Sequence, residues 1–156
     1  PRPRRQRQMC IRDSLYLEDK MADVVTTKII EDGPRTAVMH FTNVSDGTGE
    51  SAVAKVDVSA LSSDPAGKGA CTSVNIECIW YTTKGMGVQI FCDATTNVLA
   101  WELIADYGDT LDFSEFVGLP NTAAASGETG DLLFTTTNAS SGDTYSVVLK
   151  LKKNYG

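Results

Sequence analysis

The segment Tyr145-Ser146-Val147-Val148-Leu149-Lys150-Leu151-Lys152 alternates apolar and polar side chains with a period of two. One face carries four apolar side chains, those of Tyr145, Val147, Leu149 and Leu151. The other face carries a serine and two lysines, Ser146, Lys150 and Lys152. Because successive side chains of a β-strand point to opposite faces, this pattern is typical of an antiparallel strand with one buried and one solvated face. The segment therefore predicts a sheet that is packed on one side.

The rest of the chain continues the β pattern. Thr, Val and Ile are abundant, clusters of Gly, Asn and Asp interrupt at short intervals, and no segment sustains apolar residues at helical spacing. Strands are predicted near residues 23–30, 35–43, 51–58, 73–83, 87–93, 97–104, 131–137 and 143–152. Short strands joined by turn residues predict an all-β fold, a single antiparallel β-sandwich of jelly-roll type with about eight strands.

The first residues of the chain differ in origin from the rest. The run Arg4-Arg5-Gln6-Arg7-Gln8-Met9-Cys10-Ile11-Arg12-Asp13-Ser14 corresponds to the translation of a transposase-type adapter used in shotgun sequencing. We therefore predict a non-native or disordered segment at 1–20, with 1–14 derived from the adapter. A single β-sandwich domain follows at 21–156, and its natural start is expected at Met21. The sequence leaves open whether 15–20 are native.

The distribution of charge agrees with this division. Six of the 14 Lys and Arg and three of the 20 Asp and Glu lie in residues 1–20, so residues 21–156 carry a formal net charge of −9, against −6 for the whole chain. A basic N-terminal arm would predict nucleic-acid binding, but a domain this acidic repels nucleic acid and anionic membranes. No apolar run reaches the length of a membrane helix. We therefore expect neither nucleic acid nor membrane as a partner.

Few side chains are typical of a catalytic or metal site. His40 is the single histidine and lies in the middle of a predicted strand. A hydrolase built on it would need a Ser or Cys and a carboxylate within hydrogen-bond reach. Acidic residues follow the predicted strand at 97–104, but they lack the spacing of a calcium loop. We predict no catalytic residue, no metal and no cofactor, and hence a protein that is not an enzyme.

The cysteines outside the adapter segment are Cys71, Cys78 and Cys92, an odd number without a paired spacing. Buried free thiols are the expected state. A three-residue hairpin loop at 84–86 would nevertheless place Cys78 opposite Cys92, and a change of one residue in the loop would remove that pairing. The redox state of this pair is left open.

Two connections and the first strand are expected to supply contacts. The apolar, aromatic run 111–120 is expected to pack on the sandwich, whereas the Ala/Ser/Gly tract at 121–130 is expected to be exposed, or ordered only by a partner. The predicted contact surface consists of residues from these regions: Val24, Ile29, Phe113, Phe116, Leu119, Ala123 and Ser126.

Seven short runs of the chain carry a resemblance to known proteins: residues 21–27 (MADVVTT), 41–51 (FTNVSDGTGES), 55–61 (KVDVSAL), 93–98 (DATTNV), 118–121 (GLPN), 129–136 (TGDLLFTT) and 141–145 (SGDTY). These runs resemble a group of small proteins from tailed marine bacteriophages. The resemblance covers 21–156 and implies a structural component of the virion. The group has no motif with an assigned chemical role, so the resemblance transfers no functional residue.

The resemblance and the acidic β pattern together predict a virion structural protein. It would decorate or cement a capsid, or act as a head-tail accessory subunit, through contacts with copies of itself and with other capsid or tail proteins. The alternative is a lectin-like carbohydrate-binding module, in which Trp80, Tyr81 and Trp101 stack on sugar rings. That alternative gains support if at least two of these rings share one solvent-facing patch, and it fails if all three are buried.

Overall fold

The computed structural model describes residues 22–121 and 127–156. This part of the chain forms nine strands: β1 Val24–Asp32, β2 Thr36–Asp46, β3 Val53–Val56, β4 Cys71–Lys84, β5 Gly87–Cys92, β6 Val98–Leu103, β7 Gly108–Asp112, β8 Leu132–Thr137 and β9 Ser141–Tyr155. Two short 3-10 helices, Val58–Ala60 and Ser114–Phe116, lie in the connections. No helix among the described residues is long and apolar enough to cross a membrane.

The strands form two antiparallel sheets, one of five strands in the order β1-β2-β9-β4-β7 and one of four in the order β3-β8-β5-β6. Strands β2 to β9 follow the jelly-roll order, since neighbours in each sheet are mostly distant in sequence and the chain passes repeatedly between the sheets. The predicted all-β antiparallel sandwich is confirmed. The structure has one strand more than the eight predicted, and the additional strand is β7. It was not predicted because Gly and Asp are disfavoured in strands, and β7 contains one Gly and two Asp.

The core lies between the two sheets and is centred on β9, which pairs with β2 on one side and β4 on the other. The apolar side chains of its alternating segment are all at most 2% exposed, as that segment predicts. Phe41, Phe134 and Tyr145 form a row of edge-on aromatic contacts, with ring centroids 5.1 and 5.9 Å apart. Rings in this arrangement gain about 0.5–1.5 kcal/mol per pair beyond the burial of their area.

The hairpin that the sequence allows at 84–86 is not formed. β4 and β5 belong to different sheets, and the connection between them carries the fully buried side chain of Met86. Cys78 and Cys92 therefore do not face each other across a hairpin. Cys71 and Cys78 are buried free thiols, and the side chain of Cys92 is buried as well.

A further part of the sequence-based predictions falls outside the described residues. These predictions are the non-native segment at 1–20, the start at Met21, and the contact residues Ala123 and Ser126.

Candidate functional site

Strand β1 is exposed along nearly its whole length, on both faces. Four of its apolar side chains are well exposed, Val24 at 61%, Val25 at 40%, Ile29 at 44% and Ile30 at 57%. The reason is architectural: the five-stranded sheet has one strand more than the sheet it packs on, and β1 at its end is buried on neither face. Two of the predicted contact residues, Val24 and Ile29, thus lie on a strand with both faces bare.

Within the described residues, no strand pairs with the outer edge of β1. Four strands end the two sheets, and β1, with nine residues, is the longest of them. A long edge strand with exposed apolar side chains offers a row of free N–H and C=O groups to another strand. Proteins usually blunt such edges by shortening them. The edge strands β3, β6 and β7 have four, six and five residues, whereas β1 is left long.

Side-chain hydrogen bonds fix both ends of β1 to the sandwich. Next to its first residue, the Asp23 carboxylate accepts from Asn43 Nδ2 and from the Asp46 backbone N–H, each at 3.0 Å. Burial alone would raise the pKa of Asp23, but these hydrogen bonds, led by that from Asn43, lower it. At the last residue, Asp32 Oδ1 accepts from Lys153 Nζ at 2.7 Å. β1 is therefore an exposed strand that is held in place at both ends.

A buried polar network lies beneath the start of β1. Glu50 Oε1 accepts from Asn43 Nδ2 at 2.8 Å and from the Tyr145 hydroxyl at 2.6 Å, while Glu50 Oε2 lies 2.5 Å from Lys55 Nζ. The side chains of Lys55 and Glu50 are only 2% and 5% exposed. Burial, together with the hydrogen bond to Glu50, raises the pKa of Tyr145, so its hydroxyl remains a donor. Through Asn43, the network continues to Asp23 and hence to β1.

The loop after β7 forms a second exposed apolar patch. Phe116 is 58% exposed and Val117 is 52% exposed, at the end of the five-stranded sheet opposite to β1. Backbone hydrogen bonds in both directions between Leu119 and Ile76, at 2.8 and 2.9 Å, hold the loop on β4. Gly118 makes this contact possible, since it has a φ of +83° and a Cβ there would lie 2.9 Å from the Ile76 carbonyl oxygen.

The predicted contact residues of this loop separate into different environments. Phe116 is on the surface and Leu119 is half-buried. Phe113 is only 9% exposed and packs edge-on against Trp101, with ring centroids 4.9 Å apart. Its inclusion in the contact surface needs correction: its ring closes the side of the sandwich beside β6 and belongs to the core.

The aromatic residues considered for sugar stacking do not form one patch. Trp80 is 40% exposed on the outer face of the five-stranded sheet, whereas Tyr81 is 8% exposed and points into the core. Trp101 lies in the other sheet and packs against Phe113. Trp80 lines a shallow groove of about 470 Å3 together with hydroxyl groups and a carboxylate, from Thr82, Thr110, Ser146 and Asp109. Because Trp80 alone of the three is well exposed, the patch of two rings that would support the carbohydrate alternative is not formed, but the burial of all three that would exclude it is not found either.

His40 lies on the same outer face, and its Nε2 is 2.9 Å from the Ser146 hydroxyl. Within residues 22–121 and 127–156, this is the only hydrogen bond of the imidazole, so no carboxylate orients it. Ser146 pairs with Thr42 on one side and Thr82 on the other, so the surrounding backbone belongs to the sheet ladder. The pair therefore lacks both the acid partner and the free N–H donors of a catalytic triad site.

Two of the acidic residues after β6 accept backbone hydrogen bonds, one from the β4–β5 connection and one within a local turn. Asp106 Oδ1 accepts from the Gly85 backbone N–H at 2.7 Å, and Asp112 Oδ1 accepts from the Ser114 backbone N–H at 2.9 Å. Hydrogen bonds from Ser114, first from its hydroxyl, lower the pKa of Asp112. In the described part of the chain, no group of three or more His, Cys, Asp or Glu side chains is placed to hold a metal ion.

No protein-family model and no curated protein matches the chain. Among solved structures, it is similar to a cupin superfamily protein from Desulfitobacterium hafniense, with 11% identity and a TM-score of 0.31 over 83% of this chain and 77% of that one. It is also similar to Peruvianin-I, a cysteine peptidase from Thevetia peruviana latex, with 12% identity and a TM-score of 0.31 over 86% and 64% of the two chains. A third similarity is to the family 11 carbohydrate-binding module of a Clostridium thermocellum cellulase, with 13% identity and a TM-score of 0.27 over 86% and 83%. At these TM-scores the similarities carry no functional argument.

Proposed function

We propose that this chain is a structural subunit of a tailed bacteriophage particle, which decorates the capsid or joins head and tail through protein contacts. The observation that carries the proposal is β1, a long edge strand that is fixed at both ends and bare on both faces. Such a strand supports a role in assembly, because an exposed apolar edge is avoided in proteins that work alone. The resemblance of residues 21–156 to small phage proteins is the reason for assigning this assembly role to a phage particle.

A second contact surface supports a bridging role. The exposed side chains of Phe116 and Val117 lie beyond β7, at the other end of the five-stranded sheet from β1. Four inter-strand spacings of about 4.8 Å place the two surfaces roughly 19 Å apart. A subunit with apolar patches at both ends of one sheet is able to touch two neighbours at once. This is the geometry that a cementing or joining subunit needs.

The action that we propose is binding without catalysis. The His40 and Ser146 pair lies on the outer face of the five-stranded sheet, where the backbone around Ser146 is engaged in strand pairing on both sides. An acyl-transfer site instead needs donors aimed at the developing oxyanion. The proposed partners are further copies of the chain and other capsid or tail proteins, and the proposed location is the virion.

The experiment is immunogold electron microscopy of phage particles concentrated from a sample whose DNA encodes the chain. An antibody raised against the purified protein is expected to label capsids or tails at repeated, symmetric positions. Particles treated with pre-immune serum provide the control. Unlabelled particles, together with a monomeric protein that binds polysaccharide, would contradict the proposal.

The groove beside Trp80 favours carbohydrate binding as a second candidate function. Its one exposed indole ring is flanked by hydroxyl groups and by the Asp109 carboxylate, the groups that recognise a sugar ring. If this function is correct, W80A should abolish the retardation of the protein in gels that contain soluble polysaccharides, since stacking on the ring is lost. Y107A, which removes an exposed ring outside the groove, is the matched control. Equal migration of both variants and the wild type in every polysaccharide would exclude the groove as a glycan site.

A further inference from the structure

The exposed part of β1 has a symmetric pattern. In Val24-Val25-Thr26-Thr27-Lys28-Ile29-Ile30, two apolar residues precede three polar ones and two apolar residues follow, so the pattern reads the same in both directions about Thr27. Two-fold symmetric contacts use one patch against itself, and they therefore require self-complementary surfaces. A strand that is palindromic in polarity meets this requirement when it pairs antiparallel with a copy of itself.

Pairing with β2 fixes the face to which each side chain belongs. Val24, Thr26 and Lys28 lie opposite Val44, Thr42 and His40, on the outer face of the sheet. Val25, Thr27 and Ile29 lie opposite the buried residues Asn43, Phe41 and Met39, on the inner face. The strand is regular from Val24 to Ile29, and the register shifts only between Ile29 and Glu31.

We propose that β1 pairs antiparallel with β1 of a second copy of the chain, with the two-fold axis through Thr27. In this register Val25 lies opposite Ile29 of the second copy and Val24 lies opposite Ile30, while Thr26 meets Lys28. Val25 and Ile29 thereby gain an apolar partner on the inner face, and Val24 of each copy lies beside Ile30, the residue at which the register of β1 on β2 shifts. The two five-stranded sheets become one continuous sheet, and the unpaired edge of each copy is satisfied.

Other symmetric registers are worse. An axis moved by half a residue sets inner-face residues against outer-face residues, which a sheet does not allow. An axis through Lys28 sets two lysines directly opposite each other, and like charges in that position are unfavourable. An axis through Thr26 places Val24 opposite Lys28 and Ile29 opposite Asp23, so that neither of these apolar side chains gains an apolar partner. Among these registers, only the axis through Thr27 sets Val25 opposite Ile29.

The charges at the ends of the paired segment are compatible with this register. Glu31 of one copy would lie opposite Asp23 of the other, a pair of like charges. The carboxylate of Asp23, however, is turned back into its own chain by Asn43, the Asp46 backbone and Thr48. The irregularity between Ile29 and Glu31 ends the regular strand before this point. The dimer contact therefore spans the segment from Val24 to Ile30.

Engineered disulfides test the register directly. The inference names the partner of the contact surface and so rests on the proposed function. Thr27 would face Thr27 of the second copy, at a Cα separation of about 4.5–5.5 Å that suits a disulfide. In the full chain with C10S, mild oxidation of T27C should convert most of the protein to a covalent dimer, seen by non-reducing electrophoresis. The remaining cysteines, Cys71, Cys78 and Cys92, are buried.

Two further variants make the test specific. T26C is the matched control, because Thr26 of the two copies would lie two strand positions apart, with Cα atoms about 8 Å apart and out of disulfide reach. After oxidation, T26C alone should run as a single chain on non-reducing electrophoresis. A mixture of T26C and K28C should instead give a disulfide-linked dimer that contains one copy of each variant. Equal cross-linking of T26C and T27C would show random collision and overturn the register.

A third outcome separates this inference from the proposed function. If T27C does not cross-link and the wild type sediments as a monomer at all concentrations, then β1 does not pair with itself. Immunogold label on capsids or tails in that case would retain the virion role and make another virion protein the partner of β1.

Discussion

E50A is expected to destabilise the protein by about 3–5 kcal/mol, the range for breaking a buried ion pair by removing one partner. The carboxylate of Glu50 lies 2.5 Å from Lys55 Nζ, and the lysine side chain is only 2% exposed. Removal of Glu50 leaves this cation in the interior without its counter-charge. The Tyr145 hydroxyl and the amide of Asn43 lose their acceptor at the same time. The measurement is denaturant unfolding at pH 7, followed by tryptophan fluorescence.

Two comparisons show whether the ion pair is the cause. E102A removes an exposed carboxylate that accepts from Gln89 Nε2 at 2.8 Å, and it should change stability by no more than about 0.5 kcal/mol. The double variant E50L/K55M replaces both charges by apolar groups, and it should lose less stability than E50A alone because no charge is left buried. A loss below about 1 kcal/mol in E50A would contradict the assigned role of Glu50.

The loss in E50A should also affect β1. Asn43 donates from one amide group to both Glu50 and Asp23, and so connects the buried ion pair to the residue that holds the start of β1. Stability of the core and presentation of the contact strand are therefore linked. A less rigid strand loses more conformational freedom on pairing and binds more weakly.

Period-two alternation predicted the strands that have one buried face. β9 is the clearest example, since its apolar face is fully buried and its lysines Lys150 and Lys152 lie on the other face. The same rule failed at β7, whose Gly and Asp residues disfavour a strand and which pairs along one edge only, with β4. It also failed at the β4 to β5 connection, because a local pattern does not specify whether a chain turns back or crosses to the opposite sheet.

The candidate contact surface was predictable in part. Val24 and Ile29 follow from apolar residues on a first strand, and the structure places both on the surface. That β1 is bare on both faces could not be predicted, because it follows from a five-stranded sheet packed on a four-stranded one. Phe113 shows the opposite error. An aromatic residue in a loop has the same sequence signature whether its ring points to solvent or, as here, onto Trp101.

The buried charges could not be predicted at all. Lys153 lies between Lys152 and Asn154, Glu50 lies in a turn region, and Lys55 lies between Ala54 and Val56; in each of these settings a charged side chain is normally solvated. Their burial depends on partners that only the tertiary fold supplies, at separations in sequence of up to 121 residues for Lys153 and Asp32. No local signal in a single sequence identifies such a pair.

K153M is the second variant with a large expected effect, a loss of about 3 kcal/mol, at the lower end of the range for buried ion pairs. Lys153 has a fully buried side chain, and its Nζ donates to Asp32 Oδ1 at 2.7 Å, to the Gly33 carbonyl at 3.0 Å and to the Ser62 carbonyl at 2.8 Å. It thus joins β9 to the β1–β2 turn and to the loop after β3. The loss stays at the lower end because Asp32 is 22% exposed and water is able to replace part of the interaction.

The stability lost in K153M should depend on pH in a defined way. Burial alone would raise the pKa of Asp32, but hydrogen bonds from Lys153 and Ser62 lower it; burial alone would lower the pKa of Lys153, but its hydrogen bond to Asp32 raises it. A lowered carboxyl pKa stabilises the fold above the unfolded value of about 3.9, and a raised lysine pKa stabilises it below about 10.4. The difference between wild type and K153M should therefore be constant from about pH 5 to 9, and shrink as the pH falls through the folded pKa of Asp32. The measurement is the free energy of unfolding of both proteins at pH 7 and pH 3. K152M, on the solvated face of β9, is the control. If the difference in unfolding free energy between wild type and K153M is undiminished at pH 3, Lys153 stabilises the fold by packing and not by its charge.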